Sequence, residues 1–167
     1  MRLVVCDTGP LLHLTEIDRL DLLIIAGQVL IPPAVVREMD VHVPDWGVRK
    51  PDWVRVTALE MDPADQASAW HSTGILHSGE AESIALARQA NCDWYLTDDA
   101  AARLFASSLG IEVHGTLGVV LWAAVTGVVD KPETAALLDR LVTKSSLWVS
   151  PRVLAEAVSA LDELCSG

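Results

Sequence analysis

The 167-residue sequence predicts an α/β fold in three layers, α/β/α: a central parallel β-sheet flanked by helices on both faces. Short apolar runs at 2–6 (RLVVC), 28–31 (QVLI), 53–57 (WVRVT), 93–97 (DWYLT) and 111–115 (IEVHG) read as strands. The segments between most of them carry helical spacing, and this alternation of strand with helix is the pattern of a parallel sheet. Finally, 51% of the residues are hydrophobic, which makes disorder untenable and leaves room for one domain with a real core.

Along the chain, the first apolar run ends at Asp7. Thr8 to Glu16 follows with Leu11, Leu12 and Thr15 at helical spacing, and Arg19 to Ala26 reads as a second helix stopped by Gly27. After the strand at 28–31, Pro32 and Pro33 open a helix through Met39, because proline is tolerated in a first helical turn. The stretch 41–52 reads as loop, and 53–57 alternates like a half-buried strand. The acidic, proline-bearing segment Glu60 to Asp65 reads as a surface loop and is the best candidate for a boundary, although no linker composition divides residues 1–167. Gly79 to Asn91, rich in Ala, Leu and Glu, is a helix. The strand at 93–97 runs into a helix from Asp99 to Leu109, closed by Gly110. Thr116 is placed to cap an apolar helix at 117–127. Helices at 132–143, with Pro132 in the first turn, and at 151–164, capped by Ser150, complete the chain.

Bulk properties narrow the function. Acidic residues outnumber basic ones 23 to 12, for a net charge of -11, where a protein that binds phosphates ordinarily shows a basic face. A polyanionic substrate would therefore need metal ions and a local basic rim, and an acidic surface also suits a basic protein partner. The longest apolar run, Leu117 to Val129, is too short to cross a bilayer as a helix, and the N-terminus has too few apolar residues before Asp7 for a signal peptide. Cys6, Cys92 and Cys165 form no CxxC pair, which points to free thiols in a reducing cytoplasm.

Acids fall where such a sheet binds ligands, at the carboxyl ends of its strands. Asp7 ends the first strand, and Asp98 and Asp99 end the one at 93–97. Glu80 and Glu82 stand in the first turn of the helix from Gly79, and Glu38 lies in the helix after Pro33. Singly, each has an ordinary reading: Asp7 and Asp99 as N-caps, Glu80 and Glu82 as partners of the helix dipole, Glu38 as a solvent-facing side chain. As a set they would repel one another unless a cation neutralised them, and hard oxygen ligands suit Mg²⁺ or Mn²⁺, which can activate water for phosphodiester cleavage.

Taken in order, VVCDTGPLLHL, VLIPPAVVREM, GEAESIALA and YLTDDAAARLFASSLGIEVHGTLGVV resemble the PIN-domain proteins, in the branch related to VapC-type toxin ribonucleases of prokaryotic toxin–antitoxin pairs. The resemblance covers about residues 1–125 and leaves 126–167 as a C-terminal helical part. It implies a metal-dependent endoribonuclease that leaves a 5′-phosphate and a 3′-hydroxyl. Position by position, Asp7, Glu38 and Asp99 match the family's acids, with Asp98 beside them as an additional carboxylate. Thr8 matches a small hydroxyl residue that orients the first aspartate or a water. The family's third acid would fall at Ala81, which Glu80 and Glu82 flank, so both stand as metal ligands with Asp7 and Asp99; helical spacing favours Glu80. Ala101 stands where some relatives carry a further acid. Arg103, one turn after Asp99, either pairs with an acid or touches substrate phosphate. The implied partners are RNA, a small antitoxin that blocks the acidic cleft, and a second copy of the chain, for which Leu117, Val120, Leu121 and Val125 offer either a dimer face or core. The departures at Ala81 and Ala101 keep a non-catalytic PIN-like binding or assembly module as the alternative.

Other chemistries lack their motifs. The five histidines make no HExxH or His/Cys zinc pattern, and no dinucleotide, Walker or Gly-x-Ser-x-Gly signature occurs. His77 and His114 read as local hydrogen-bonding groups. Among the six tryptophans, Trp94 and Trp122 sit in apolar runs, whereas Trp46 and Trp53, in or beside a loop, are freer to bind a ligand.

Overall fold

The computed structural model describes residues 1–166. Strands β1 (Leu3–Cys6), β2 (Gln28–Ile31), β3 (Val54–Val56), β4 (Trp94–Leu96) and β5 (Val113–His114) form a sheet in the order β3-β2-β1-β4-β5, parallel throughout. In β1 the side chains alternate between two cores: Val4 and Cys6 enter one, Val5 the other. The same split recurs in β4, with Trp94 and Leu96 on the first side and Tyr95 on the second. Both faces are therefore buried, as the apolar runs predict.

The first core is closed by α1 (Thr8–Glu16), α2 (Leu23–Ala26), α3 (Pro33–His42), α8 (Thr116–Val125), α9 (Lys131–Lys144) and α10 (Pro151–Leu164), through residues such as Leu11, Val35, Val120, Leu138 and Leu161. The second is closed by α5 (Met61–Ser72), α6 (Ser78–Gln89) and α7 (Ala100–Ser108), through Ala67, Ile84 and Ala106. A short helix, α4 (Trp46–Arg49), packs against α3. Three layers result.

Local sequence explains most boundaries. Asp7, Asp99, Asp130 and Ser150 cap α1, α7, α9 and α10 with side-chain oxygens that accept first-turn N–H groups. Pro33 stands in the first turn of α3, where a missing N–H costs nothing. Asn91 and Gly110 end α6 and α7 with positive φ, 47° and 77°.

Several expectations need correction. Residues 60–65 are the start of α5, which packs along α6, so they mark no boundary. Pro63 is tolerated there because first-turn N–H groups have no partner within the helix, and Asp62 faces the positive end of the dipole. The stretch 41–52 contains α4, and Trp46 within it is buried at 4% exposure, so it is not free to meet a ligand. The segment 19–26 divides into a 3₁₀ turn (Leu20–Leu22) and a single α turn. In α8, Val119, Val120 and Ala123 are buried and Leu117 and Leu121 pack against the core, which leaves Val125, 49% exposed, out of the contact.

Candidate active site at the carboxyl edge of the sheet

From β1 the chain proceeds to β2 on one side, and β4 with β5 extends the sheet on the other. Strand order thus reverses between β1 and β4, and the loops leaving these two strands diverge and open a crevice. Asp7 leaves β1 and Thr97, Asp98 and Asp99 leave β4, with the Asp7 N–H donating to the Leu96 carbonyl at 2.9 Å.

Asp7 is the fixed point of the site. It is 4% exposed; Oδ1 accepts the Thr8 N–H at 2.8 Å and Oδ2 the hydroxyl of fully buried Thr97 at 3.0 Å. Burial pushes its carboxyl up to about 7, aided by the neighbouring Glu80 and Glu38 and opposed by the two hydrogen bonds. Glu38, from α3, accepts the Thr8 hydroxyl and the Gly79 N–H (2.9 Å). That second bond requires glycine, since a Cβ at residue 79 would overlap both carboxylate oxygens. Glu80, buried in the first turn of α6, accepts the His77 N–H at 2.8 Å. Its carboxyl is raised by burial and by the charges of Asp99 and Glu38, against the His77 hydrogen bond. Asp99 is exposed at the N-terminus of α7, where Oδ1 accepts the Ala102 N–H at 2.8 Å.

Asp7, Glu38, Glu80 and Asp99 line one cleft of about 510 Å³, together with Thr8 and Asp98. Among the described residues no lysine or arginine lines it. Four hard oxygen donors in one cleft, two of them (Asp7 and Glu80) raised by burial and by neighbouring carboxylates, form a donor set suited to a divalent metal ion. Each acid is at present held by its own hydrogen bonds, and among the described residues no three His, Cys, Asp or Glu side chains are already gathered around one point. A cation would have to draw Glu38 and Asp99 inward from their present partners.

The other predicted residues are placed differently. Glu82 turns away from the cleft: it accepts the Ala34 N–H at 3.1 Å, bracing the start of α3, and meets Arg37 at 3.5 Å. Glu80 therefore faces the cleft and Glu82 does not, in line with the helical spacing. Asp98 is a clamp. It accepts the Thr116 N–H at 2.7 Å and the Thr116 hydroxyl at 2.5 Å, and it pairs with His13 Nδ1 at 2.7 Å. Burial alone would raise its carboxyl, but the His13 and Thr116 hydrogen bonds outweigh burial and hold it below the usual range. Thr116 is thus the first residue of α8, and the cap comes from Asp98 outside the helix. Arg103 donates to the Thr97 carbonyl at 3.2 Å and lines a second groove next to the cleft.

Among the side chains at the cleft, His13, Ser146, Leu147 and Trp148 were not singled out from sequence. His13 gave no local signal, since its partner Asp98 lies 85 residues away. Trp148 was one of six tryptophans that could stack a base, and its place in a short connection did not set it apart.

Among known proteins, a family model described as a PIN domain matches residues 3–163. No curated protein and no solved structure matches the chain.

Proposed function

Because the chain belongs to the PIN-domain family, whose members are generally nucleases, we propose that it is a metal-dependent endoribonuclease that hydrolyses RNA phosphodiester bonds in the acidic cleft. The observation that supports this reading is the convergence of Asp7, Glu38, Glu80 and Asp99 on one cleft at the switch point of the sheet, with Asp7 raised to about 7. Asp7, Glu80 and Asp99 would hold Mg²⁺ or Mn²⁺, with Glu38 assisting. The bound cation would supply Lewis-acid polarisation of water and phosphate and neutralise the charge that develops at phosphorus. The chain's own groups do the rest. Thr97 and the Thr8 N–H fix Asp7 between them, Gly79 and the Thr8 hydroxyl hold Glu38 near it, and Asp98 locks α8 against α1 so that the crevice keeps its walls. Cleavage leaves a 5′-phosphate and a 3′-hydroxyl.

The biological setting that fits this reading is the toxin of a prokaryotic toxin–antitoxin pair, acting as a homodimer and silenced by a small basic antitoxin that fills the acidic cleft; a short basic reading frame beside the gene tests it. The opposing reading, a non-catalytic PIN-like binding or assembly module, draws on the hydrogen bonds that already occupy each carboxylate.

One experiment separates the two. Single-stranded RNA is incubated with the protein in Mn²⁺ or EDTA, and Mn²⁺ binding is followed by calorimetry. The expected result is metal-dependent cleavage that is lost in Asp7→Asn and Asp99→Asn and kept in Glu82→Gln, whose side chain lies outside the cleft. Cleavage unchanged in both Asn variants, or no Mn²⁺ binding by the wild type, overturns the proposal.

A further inference from the structure

The connection between α9 and α10 carries Trp148 in full view of solvent, at 82% exposure. Leaving so large an apolar surface in water forfeits the gain of burying it, so its position calls for an explanation. Its neighbours are not loose. Glu16 on α1 accepts the Ser146 hydroxyl at 2.6 Å and the Ser146 N–H at 3.1 Å. Ser145 accepts the Leu147 N–H at 3.1 Å, Leu147 packs against the first core, and Ser150 caps α10. The indole is therefore presented on a strap pinned on both sides.

Trp148 lines two cavities at once. One is the acidic cleft; the other is a groove of about 540 Å³ bounded by Leu117, Val149, Val153 and Arg103. Asp98, Leu147 and Trp148 belong to both, so the groove adjoins the cleft. Among the described residues, Arg103 is the only lysine or arginine lining either of them. With a net charge of -11 and a single arginine at the rim, the chain cannot draw its affinity for a polyanion from neutralising many phosphates. An aromatic face offers affinity that does not depend on charge, because every nucleobase presents a π-face to stack on.

We propose that Trp148 is the stacking platform for a nucleobase of a single-stranded RNA substrate, that the base lies over the groove beside the acidic cleft, and that Arg103 contacts the adjoining phosphate. This rests on the nuclease reading of the cleft and adds a substrate-positioning residue to it. Trp148 holds the strand and touches no reacting atom, so its loss acts on binding and leaves the chemical step intact.

The test uses a fluorescein-labelled single-stranded RNA dodecamer with the full-length protein. Cleavage kinetics are measured in Mn²⁺ and binding in EDTA, at two salt concentrations, for wild type, Trp148→Ala and Trp148→Phe. The proposal predicts that Trp148→Ala raises Kd and KM by roughly five- to 150-fold, to a similar degree at both salt concentrations, with kcat little changed, and that Trp148→Phe recovers most of the loss. Substrates bearing one abasic nucleotide, scanned through the dodecamer, should include a position at which wild type weakens as the Ala variant does and the Ala variant weakens no further. Wild-type cleavage with Trp148→Ala indistinguishable from it overturns the stacking role and leaves the nuclease reading standing. Absence of both cleavage and binding in the wild type overturns both. A switch from dimer to monomer in Trp148→Ala, with RNA affinity unchanged, assigns the indole to a second copy of the chain and likewise overturns it.

Discussion

Replacing Asp7 by Asn should make the metal-free protein more stable above neutral pH while it destroys the proposed activity. The folded protein holds this carboxyl at about 7 against an ordinary 3.8, chiefly because it is buried at 4% exposure. A carboxyl raised on folding favours the folded state at low pH, and that contribution is lost as pH climbs from about 4 through 7. At about 1.36 kcal/mol per tenfold change in proton affinity, the rise from 3.8 to about 7 corresponds to roughly 4 kcal/mol in all. Well over half of that falls between pH 5 and pH 8. The asparagine variant is free of this penalty. Its amide oxygen can still accept the Thr8 N–H, and the Thr97 hydroxyl can turn to accept from the amide nitrogen. The assay is urea denaturation in EDTA at pH 5 and pH 8. Wild type should lose about 2 to 3 kcal/mol relative to the variant on going to pH 8, and millimolar Mn²⁺ should restore wild type alone. Parallel pH profiles for the two proteins, or a variant less stable than wild type at pH 8, would refute the reasoning.

Two more substitutions probe the supports of the site. Gly79→Ala puts a methyl group into the place of the Glu38 carboxylate and should displace it, lowering Mn²⁺ affinity and cutting RNA cleavage at least about tenfold with a normal circular dichroism spectrum. Unchanged metal binding and activity would remove Glu38 from the metal-assisting set. Glu16→Ala frees Ser146 from its carboxylate and should raise KM for RNA about three- to tenfold, with kcat within twofold of wild type, since each lost hydrogen bond is worth about 1 kcal/mol. A fall in kcat at constant KM would show that the strap serves something other than substrate positioning.

Much of the fold was legible because its signals are local. An apolar run that ends at Asp7, two prolines before a helix, and a glycine after Leu109 each act within a few residues, and the structure places β1, α3 and the end of α7 where those signals stand. The acids were legible for the same reason, since strand ends and first helical turns mark the carboxyl edge of a parallel sheet. What stayed hidden depends on contacts distant in sequence. Helical spacing favoured Glu80 over Glu82, but the contacts that occupy Glu82, the Ala34 N–H and Arg37 of α3, lie more than 40 residues away and left no local trace. Asp98 resembles Asp99 until Thr116 and His13 arrive from α8 and α1. Trp46 sits among residues typical of a loop, yet it is buried because α4 folds back onto α3. The start of α5 was misread because Pro63 suggested a turn, whereas a first helical turn tolerates proline equally well.

The central position of β1 also bears on when the molecule can act. Its aspartate is held by a threonine 90 residues later, and the strap that carries Trp148 is tied to a glutamate 130 residues before it. A nascent chain emerging at about 5–20 residues per second makes Asp7 well before the far wall of the crevice, which has to wait for β4, and the strap has to wait for α9. Long-range pairings of this kind also fold slowly, because loop closure must precede the contacts that reward it. A chain that stops short of the strap therefore lacks the assembled crevice. The proposed activity would begin only after the connection between α9 and α10 has been made and has docked on α1.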